Sequence, residues 1–308
     1  MGLFLYYASR KRAIKLMKKI YSPLRYPGGK AKVLAFMKDL IKKNFKEEKP
    51  CYIEPYAGGA AVALGLLLED VVSDIYINDN DIAIYSFWEY CIRRHPTKLI
   101  NKIRNVKVTI DEWEKQACIY ADTKKKEGFE LGFAAFFLNR CNHSGIIKGG
   151  PIGGHTQTGQ YRLDCRFNKT ELINRIDAIA KRRKNIHVFK DDTKDFLLRK
   201  DLHNVLCDCL LYLDPPYYKK GSQLYKNFYI HKDHEEISKI MQKLNVRWVI
   251  SYDNQPEIRK FYAGLKKREF NLTYYAGHRT VKREKNGKEI MFFSNRIKKI
   301  PPMSLIDK

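Results

Sequence analysis

Short apolar runs alternate with helical runs at both ends of this chain, and that alternation restricts the fold more than any other feature. CYIE (51–54) leads through a small-residue turn into the apolar helix AVALGLLL, and IYIN (75–78) leads through NDND into the helical stretch IAIYSFWEYCIRR. Later come IHVFK (186–190), the strand in CLLYLDPPYY, a helix over 233–244, RWVIS (247–251) and EIMFFSN (289–295). Strands separated by helices need crossover connections. The pattern therefore predicts an α/β fold, a mainly parallel sheet with helices on both faces. Val33, Phe36, Met37, Leu40 and Ile41 recur at helical spacing ahead of the first strand. Asp233 and Glu236 are spaced like a capping box at the head of the 233–244 helix.

The middle of the chain has another texture. Residues 111–127 are charged and helical, GFAAFFLNRC is an apolar helix, and GIIKGGPIGGHTQTG is glycine-rich without periodicity; a basic helix follows over 169–183. The expected organisation is a basic extension over 1–20, a discontinuous α/β domain made of 21–96 and 171–300, and a smaller, mostly helical insertion over 97–170.

Composition narrows the function classes. The 308 residues carry 59 Lys+Arg against 34 Asp+Glu, a formal net charge of +25. Hydrophobic residues at 44% and aromatics at 13% suffice for a packed core and exclude a disordered chain. Seven cysteines, scattered without a CxxC pair or zinc spacing, point to reduced thiols and no structural metal. No run approaches the roughly 18 apolar residues of a membrane helix. MGLFLYY is too short for a signal-peptide core, so a cytoplasmic protein without membrane contact is expected. The positive excess calls for a polyanionic partner, nucleic acid first, against the plainer alternative of a lysine-rich surface.

Two segments carry candidate chemistry. In EPYAGGAA, Glu54 ends a strand, and Gly58 and Gly59 precede an apolar helix. Asp79 directly follows the second strand, 21 positions after Gly58. A glycine turn followed about 20 residues later by an acid is how a doubly wound sheet binds an adenosine-type ligand, the acid taking the ribose hydroxyls. An ordinary tight turn with an exposed Asp is the alternative. In LYLDPPYY (211–218), an apolar strand sets Asp214 at its carboxyl end. Pro215 and Pro216 fix the next two φ angles and remove two backbone donors. Tyr217 adds a flat aromatic face. A carboxylate, a rigid Pro215 carbonyl and a stacking ring suit the exocyclic amine of a planar base; a proline strand terminator is the alternative. PGGK (27–30) lacks the Ser or Thr and the upstream glycine of a P-loop, which argues against a nucleotide triphosphatase. His231 and His234, beside Asp233 and Glu235, read as a capped, solvated helix start rather than a metal cluster.

With RYPGGK, EPYAGG, Asp79, LNRCNHSGI and DPPY in this order between Ser22 and Ile297, the chain resembles the Dam-like adenine-specific DNA methyltransferases. The resemblance implies a Rossmann-like sheet of seven strands and methyl transfer from S-adenosyl-L-methionine to the N6 amine of an adenine flipped from double-stranded DNA. It implies that Asp214, Pro215, Pro216 and Tyr217 are catalytic. Tyr26, Gly28, Gly29, Lys30, Glu54, Pro55, Tyr56, Gly58, Gly59, Asp79 and Asp192 would hold the cofactor, with Asp191 a competing register for Asp192. The family pattern EPFxGxG has glycine where this chain has Ala60, and many members have Trp where it has Tyr26. The insertion would read the target through Arg140, Asn142, His143, Lys148, Gln160, Arg162 and Arg166, since Arg suits guanine and Asn or Gln suits adenine. Lysines elsewhere, such as Lys181, Lys219 and Lys266, would contact phosphate. A cognate restriction endonuclease is a candidate partner. An RNA adenine methyltransferase, or a noncatalytic DNA-binding protein on the same fold, are the competing readings.

Overall fold

The computed structural model describes residues 20–25, 33–46, 49–122, 126–206, 208–219, 229–274 and 285–306. Helix α1 (Val33–Asn44) precedes β1 (Cys51–Glu54), α2 (Ala61–Leu68), β2 (Ile75–Asn78) and α3 (Ile82–Ser86), which continues as a π-helical segment, Phe87–Arg94. The middle supplies α4 (Pro96–Asn105), α5 (Ile110–Ala121), α6 (Phe129–Cys141) and α7 (Lys169–Ala180). Then follow β3 (Ile186–Phe189), α8 (Thr193–Leu197), α9 (His203–Leu206), β4 (Cys209–Leu213), α10 (His231–Lys243), β5 (Arg247–Asp253), α11 (Pro256–Phe261), β6 (Lys266–Tyr274) and β7 (Lys285–Phe293).

The strands form one seven-stranded sheet in the order β3-β2-β1-β4-β5-β7-β6. All neighbours from β3 through β5 pair in parallel, and β7 runs antiparallel to both β5 and β6. Side chains alternate across the sheet at the two-residue strand period. Tyr52, Leu210, Tyr212, Val249 and Met291 enter a core closed by α1, α2, α6 and α7, while Ile53, Leu211, Ile250, Tyr252 and Ile290 enter a second core under α10 and α11. Burial on both faces explains why the central strands read as continuous apolar runs.

The structure extends two expectations. The strand after Arg247 runs two residues beyond the expected RWVIS, to Asp253. Strand β6, KKREFNLTY, has too few apolar residues to announce itself; it is an edge strand, where lysines also discourage pairing with another chain.

Residues 97–170 add to the main core. Leu99 and Ile103 of α4, Phe133, Phe136 and Phe137 of α6, and Phe167 join the same cluster as α1 and the sheet. The rings of Phe87 and Phe136 stack with centroids 5.6 Å apart. Helix α6 approaches so closely because it has glycine at the crossing. A Cβ on Gly132 would stand 2.6 Å from the Ser86 carbonyl oxygen and 2.7 Å from the Phe87 nitrogen, both backbone atoms. Helix propensity alone favours Ala at this position by about 1 kcal/mol. Overpacking against backbone costs about 1–3 kcal/mol and decides the sign. Gly132→Ala is therefore expected to lower the unfolding free energy in urea; an increase shows that α6 is not docked as described.

Candidate active site at the strand carboxyl ends

The chain reverses its direction of winding between β1 and β4, which are neighbours although β2 and β3 precede β4 in sequence. Ligands of open α/β sheets bind outside the carboxyl ends of the strands at such a point. On that edge this chain sets an acid at or just after the end of every parallel strand: Glu54, Asp79, Asp191 with Asp192, Asp214 and Asp253. In a chain of +25 net charge, that acidic edge is a local reversal of sign.

The β1–α2 turn is tied down from three sides. Buried Glu54 accepts the Ala63 N–H at 3.3 Å, near the start of α2. Gly58 has φ +47°, donates its N–H to Asp79 Oδ2 at 2.8 Å, and accepts the Trp88 indole N–H at 2.9 Å through its carbonyl. Trp88 lies on the π-helical segment, a wide turn of the type often found at functional sites. Buried Asn78 donates to the carbonyls of Pro55 at 3.1 Å and Asp191 at 3.0 Å, and accepts the Asp191 N–H at 2.9 Å. One side-chain amide thus joins the ends of β1, β2 and β3. Gly59 is buried, and Tyr56 donates its hydroxyl to Tyr229 at 2.9 Å. Ala60, standing in for the family's glycine, holds the left-handed conformation a glycine would prefer, φ 47° and ψ 34°. The turn keeps its shape at the expense of local strain.

Asp79 accepts the N–H of Asp81 at 2.9 Å and that of Gly58. Burial, with Asp81 beside it, pushes its carboxyl up to about 7; the two backbone N–H groups pull the other way. Each carboxylate oxygen has a second lone pair, so these contacts leave acceptor capacity for a ligand hydroxyl.

At the end of β4, Ser251 donates its hydroxyl to Asp214 Oδ1 at 2.8 Å, and the Tyr212 hydroxyl lies 2.9 Å from Ser251 Oγ. Pro215 and Pro216 are buried. The Tyr217 hydroxyl donates to Glu289 Oε1 at 2.7 Å. Asp253 accepts the next two backbone N–H groups, Tyr218 at 2.9 Å and Lys219 at 3.2 Å. Ser251, Asp253 and Glu289 escaped the sequence reading. Only for Asp253 was there a local signal, an acid after a strand, and it was missed because the strand was expected to end two residues earlier.

Other candidates fall in different places. Tyr26, Gly28, Gly29 and Lys30 lie outside the described residues. Asp192 caps α8 by accepting the Lys194 N–H at 2.9 Å, while Asp191 pairs with Arg199 at 2.6 Å. Between residues 97 and 170, Arg140 is buried, and its Nε donates to the Arg166 carbonyl at 2.7 Å. Asn142 is also buried: it accepts the Trp113 indole N–H at 2.6 Å and donates to the carbonyls of Ile146 and Ile147. Both side chains are spent on shaping the loop, which corrects their expected role in base contact. His143, Lys148, Gln160, Arg162 and Arg166 are exposed.

Helix α10 brings two further corrections. Asp233 sits at the third helical position and accepts the Ile230 N–H at 3.0 Å, so the cap falls at Ile230, three residues before the expected one. His234 is not solvated. It is buried, with Nδ1 3.2 Å from the Tyr252 hydroxyl, and burial lowers its pKa to about 4.

Known proteins resemble this chain in sequence. The Type II methyltransferase M.MjaIII of Methanocaldococcus jannaschii is 23% identical over 261 residues, 81% of each chain. Modification methylase StsI of Streptococcus sanguinis is 25% identical over 216 residues, which are 67% of this chain and 30% of that protein's length. The rRNA methyltransferase aviRa of Streptomyces viridochromogenes superposes loosely, with a TM-score of 0.37 and 11% identity over 88% of this chain and 87% of that one. The profile of D12 class N6 adenine-specific DNA methyltransferases matches residues 26–281, a range that holds the PGGK segment, the β1 turn and the Asp214–Tyr217 tetrapeptide. The chain belongs to the D12 class N6 adenine-specific DNA methyltransferase family.

Proposed function

We propose that this protein is a site-specific DNA methyltransferase that carries the methyl group of S-adenosyl-L-methionine to the exocyclic N6 amine of adenine in double-stranded DNA. The observation that carries the reading is the anchoring of Asp214 to Tyr217 at the end of β4, beside the glycine turn of β1. The cofactor supplies an electrophilic methyl group on a sulfonium. The residues at the edge suit such a ligand: Asp79 offers acceptors to ribose hydroxyls, and the Gly58 turn lets a ligand approach backbone. By the family resemblance, Tyr26, Lys30, Glu54 and Asp192 complete that site.

The chemistry asked of the protein is orientation. The target adenine must leave the duplex stack, at a cost of a few kcal/mol. Tyr217 stacks on the extruded ring. The Asp214 carboxylate and the Pro215 carbonyl each accept one hydrogen of the amine. The nitrogen lone pair then points out of the ring toward the methyl group. Asp214 acts as an acceptor and needs no unusual basicity, because the amine acidifies as the new bond forms. Preorganised acceptors and in-line placement provide the acceleration. The exposed set His143, Lys148, Gln160, Arg162 and Arg166 contacts DNA, and Arg140 and Asn142 hold the platform beneath it. The names of the two relatives, a modification methylase and a Type II methyltransferase, make a restriction endonuclease of the same target the candidate partner, with the enzyme working on DNA in the cytoplasm.

Label transfer from radiolabelled S-adenosyl-L-methionine to DNA lacking adenine methylation tests the proposal, with RNA offered in parallel. Wild type should label DNA adenine, and Asp214→Ala should lose at least about a hundredfold in kcat with cofactor affinity retained. Label on RNA alone overturns the DNA assignment.

Cofactor affinity should depend on pH through Asp79. Only the ionised carboxylate is purely an acceptor, and a bound hydroxyl favours that form. Because the free group titrates near 7, affinity should rise about tenfold from pH 6 to pH 8 in calorimetry. Asp79→Asn should bind more weakly and show a flat profile over that range. Arg162→Ala should weaken DNA binding, about tenfold in a filter-binding assay, and leave cofactor affinity unchanged. Equal DNA affinity removes Arg162 from the contact surface.

A further inference from the structure

The tetrapeptide is gripped from two strands that carry none of the recognised motifs. On a strand, residues two apart share a face. Parallel pairing sets Tyr212 beside Val249, and antiparallel pairing sets Ser251 opposite Met291 and Asp253 opposite Glu289. Tyr212, Val249 and Met291 all enter the core on the α1 side of the sheet. Ser251, Asp253 and Glu289 therefore line the same face of β5 and β7, continuing that row to the edge where Asp214 stands.

Each of the three takes hold of a different point between 214 and 219. Ser251 donates to the Asp214 carboxylate, Glu289 accepts the Tyr217 hydroxyl hydrogen, and Asp253 accepts the Tyr218 and Lys219 amides. Glu289 is the most telling member. It is 1% exposed, and its chain neighbour Ile290 is fully buried in the opposite core. A carboxyl group at such a depth is costly unless hydrogen-bonded. Tyr217, itself 8% exposed, supplies a bond of 2.7 Å. The ring of a tyrosine swings about its Cα–Cβ bond and spins about its Cβ–Cγ bond. A fixed hydroxyl at the far end stops the swing and so fixes where the ring lies, while the spin axis passes through the oxygen itself.

We infer that Glu289 is a positioning residue for methyl transfer, holding the Tyr217 ring at the place where the target base stacks. Ser251 orients the acceptor acid, and Asp253 anchors the exit of the same segment. This rests on the function proposed above, which wild-type methyl transfer tests by itself.

The experiment is a double-mutant cycle read by methyl transfer to unmethylated DNA, with thermal unfolding and cofactor calorimetry on every variant. Tyr217→Phe removes only the hydroxyl and should lower kcat about tenfold at unchanged cofactor affinity. Glu289→Ala should lower it by a similar factor, and the double variant by little more than either single one. Glu289→Gln keeps an oxygen acceptor and should recover most of what Glu289→Ala loses. If Glu289→Ala does not fold, Tyr217→Phe made alone and in the Glu289→Gln background still decides the matter. The inference is overturned if Tyr217→Phe retains full kcat, if the two effects multiply, or if Glu289→Ala lowers only the unfolding temperature. An inactive wild type instead sinks the methyltransferase reading itself.

Discussion

Parallel alignment of five strands is the constraint on which the rest of this molecule depends. It sends every carboxyl end to one edge, so acids separated by up to about 200 positions in the chain come to share one surface. The reversal of winding between β1 and β4 then opens that edge between the Gly58 turn and Asp214. No single motif makes the site. It arises because crossovers bring the same end of each strand to the same place.

The edge is held by hydrogen bonds to buried and half-buried polar side chains rather than by apolar packing. Asn78 joins three strand ends, Trp88 and Asp79 hold Gly58 from opposite sides, and Ser251, Asp253 and Glu289 hold the segment after β4. Each such group would be expensive to bury alone, so each makes the neighbouring geometry more exacting. Rigidity at this edge suits a reaction whose protein contribution is mainly orientation. The same logic extends to α6, where buried Asn139 donates to the Arg25 carbonyl at 2.7 Å and accepts the Arg25 N–H at 2.7 Å. Arg25, two positions before the PGGK segment, is thereby bonded to the helix that leads into the glycine-rich loop. Two family motifs far apart in sequence are joined by one side chain.

Legibility in the sequence followed the range of the interaction involved. Glu54, Asp79 and Asp214 were readable because each sits at the end of its own apolar run, a pattern visible within a few residues. Ser251 and Glu289 were not, since their roles depend on the register between β5, β7 and the β4 exit. Arg140 and Asn142 were misread for a related reason. Polar residues at the end of an apolar helix look solvent-facing until Trp113 and the Arg166 carbonyl are brought against them. His234 became a buried residue because Tyr218, Tyr229 and Tyr252 close around it.

The amino-acid sequence by itself determined the α/β class, most of the strands, the acids at their ends and the order of the motifs, because local periodicity and spacing encode them. Only the tertiary structure decided which polar side chains face the site and which are spent inside the protein. That choice depends on strand register and helix docking between distant segments, and on the rule that a polar group taken from water must find its partner where the fold happens to place one.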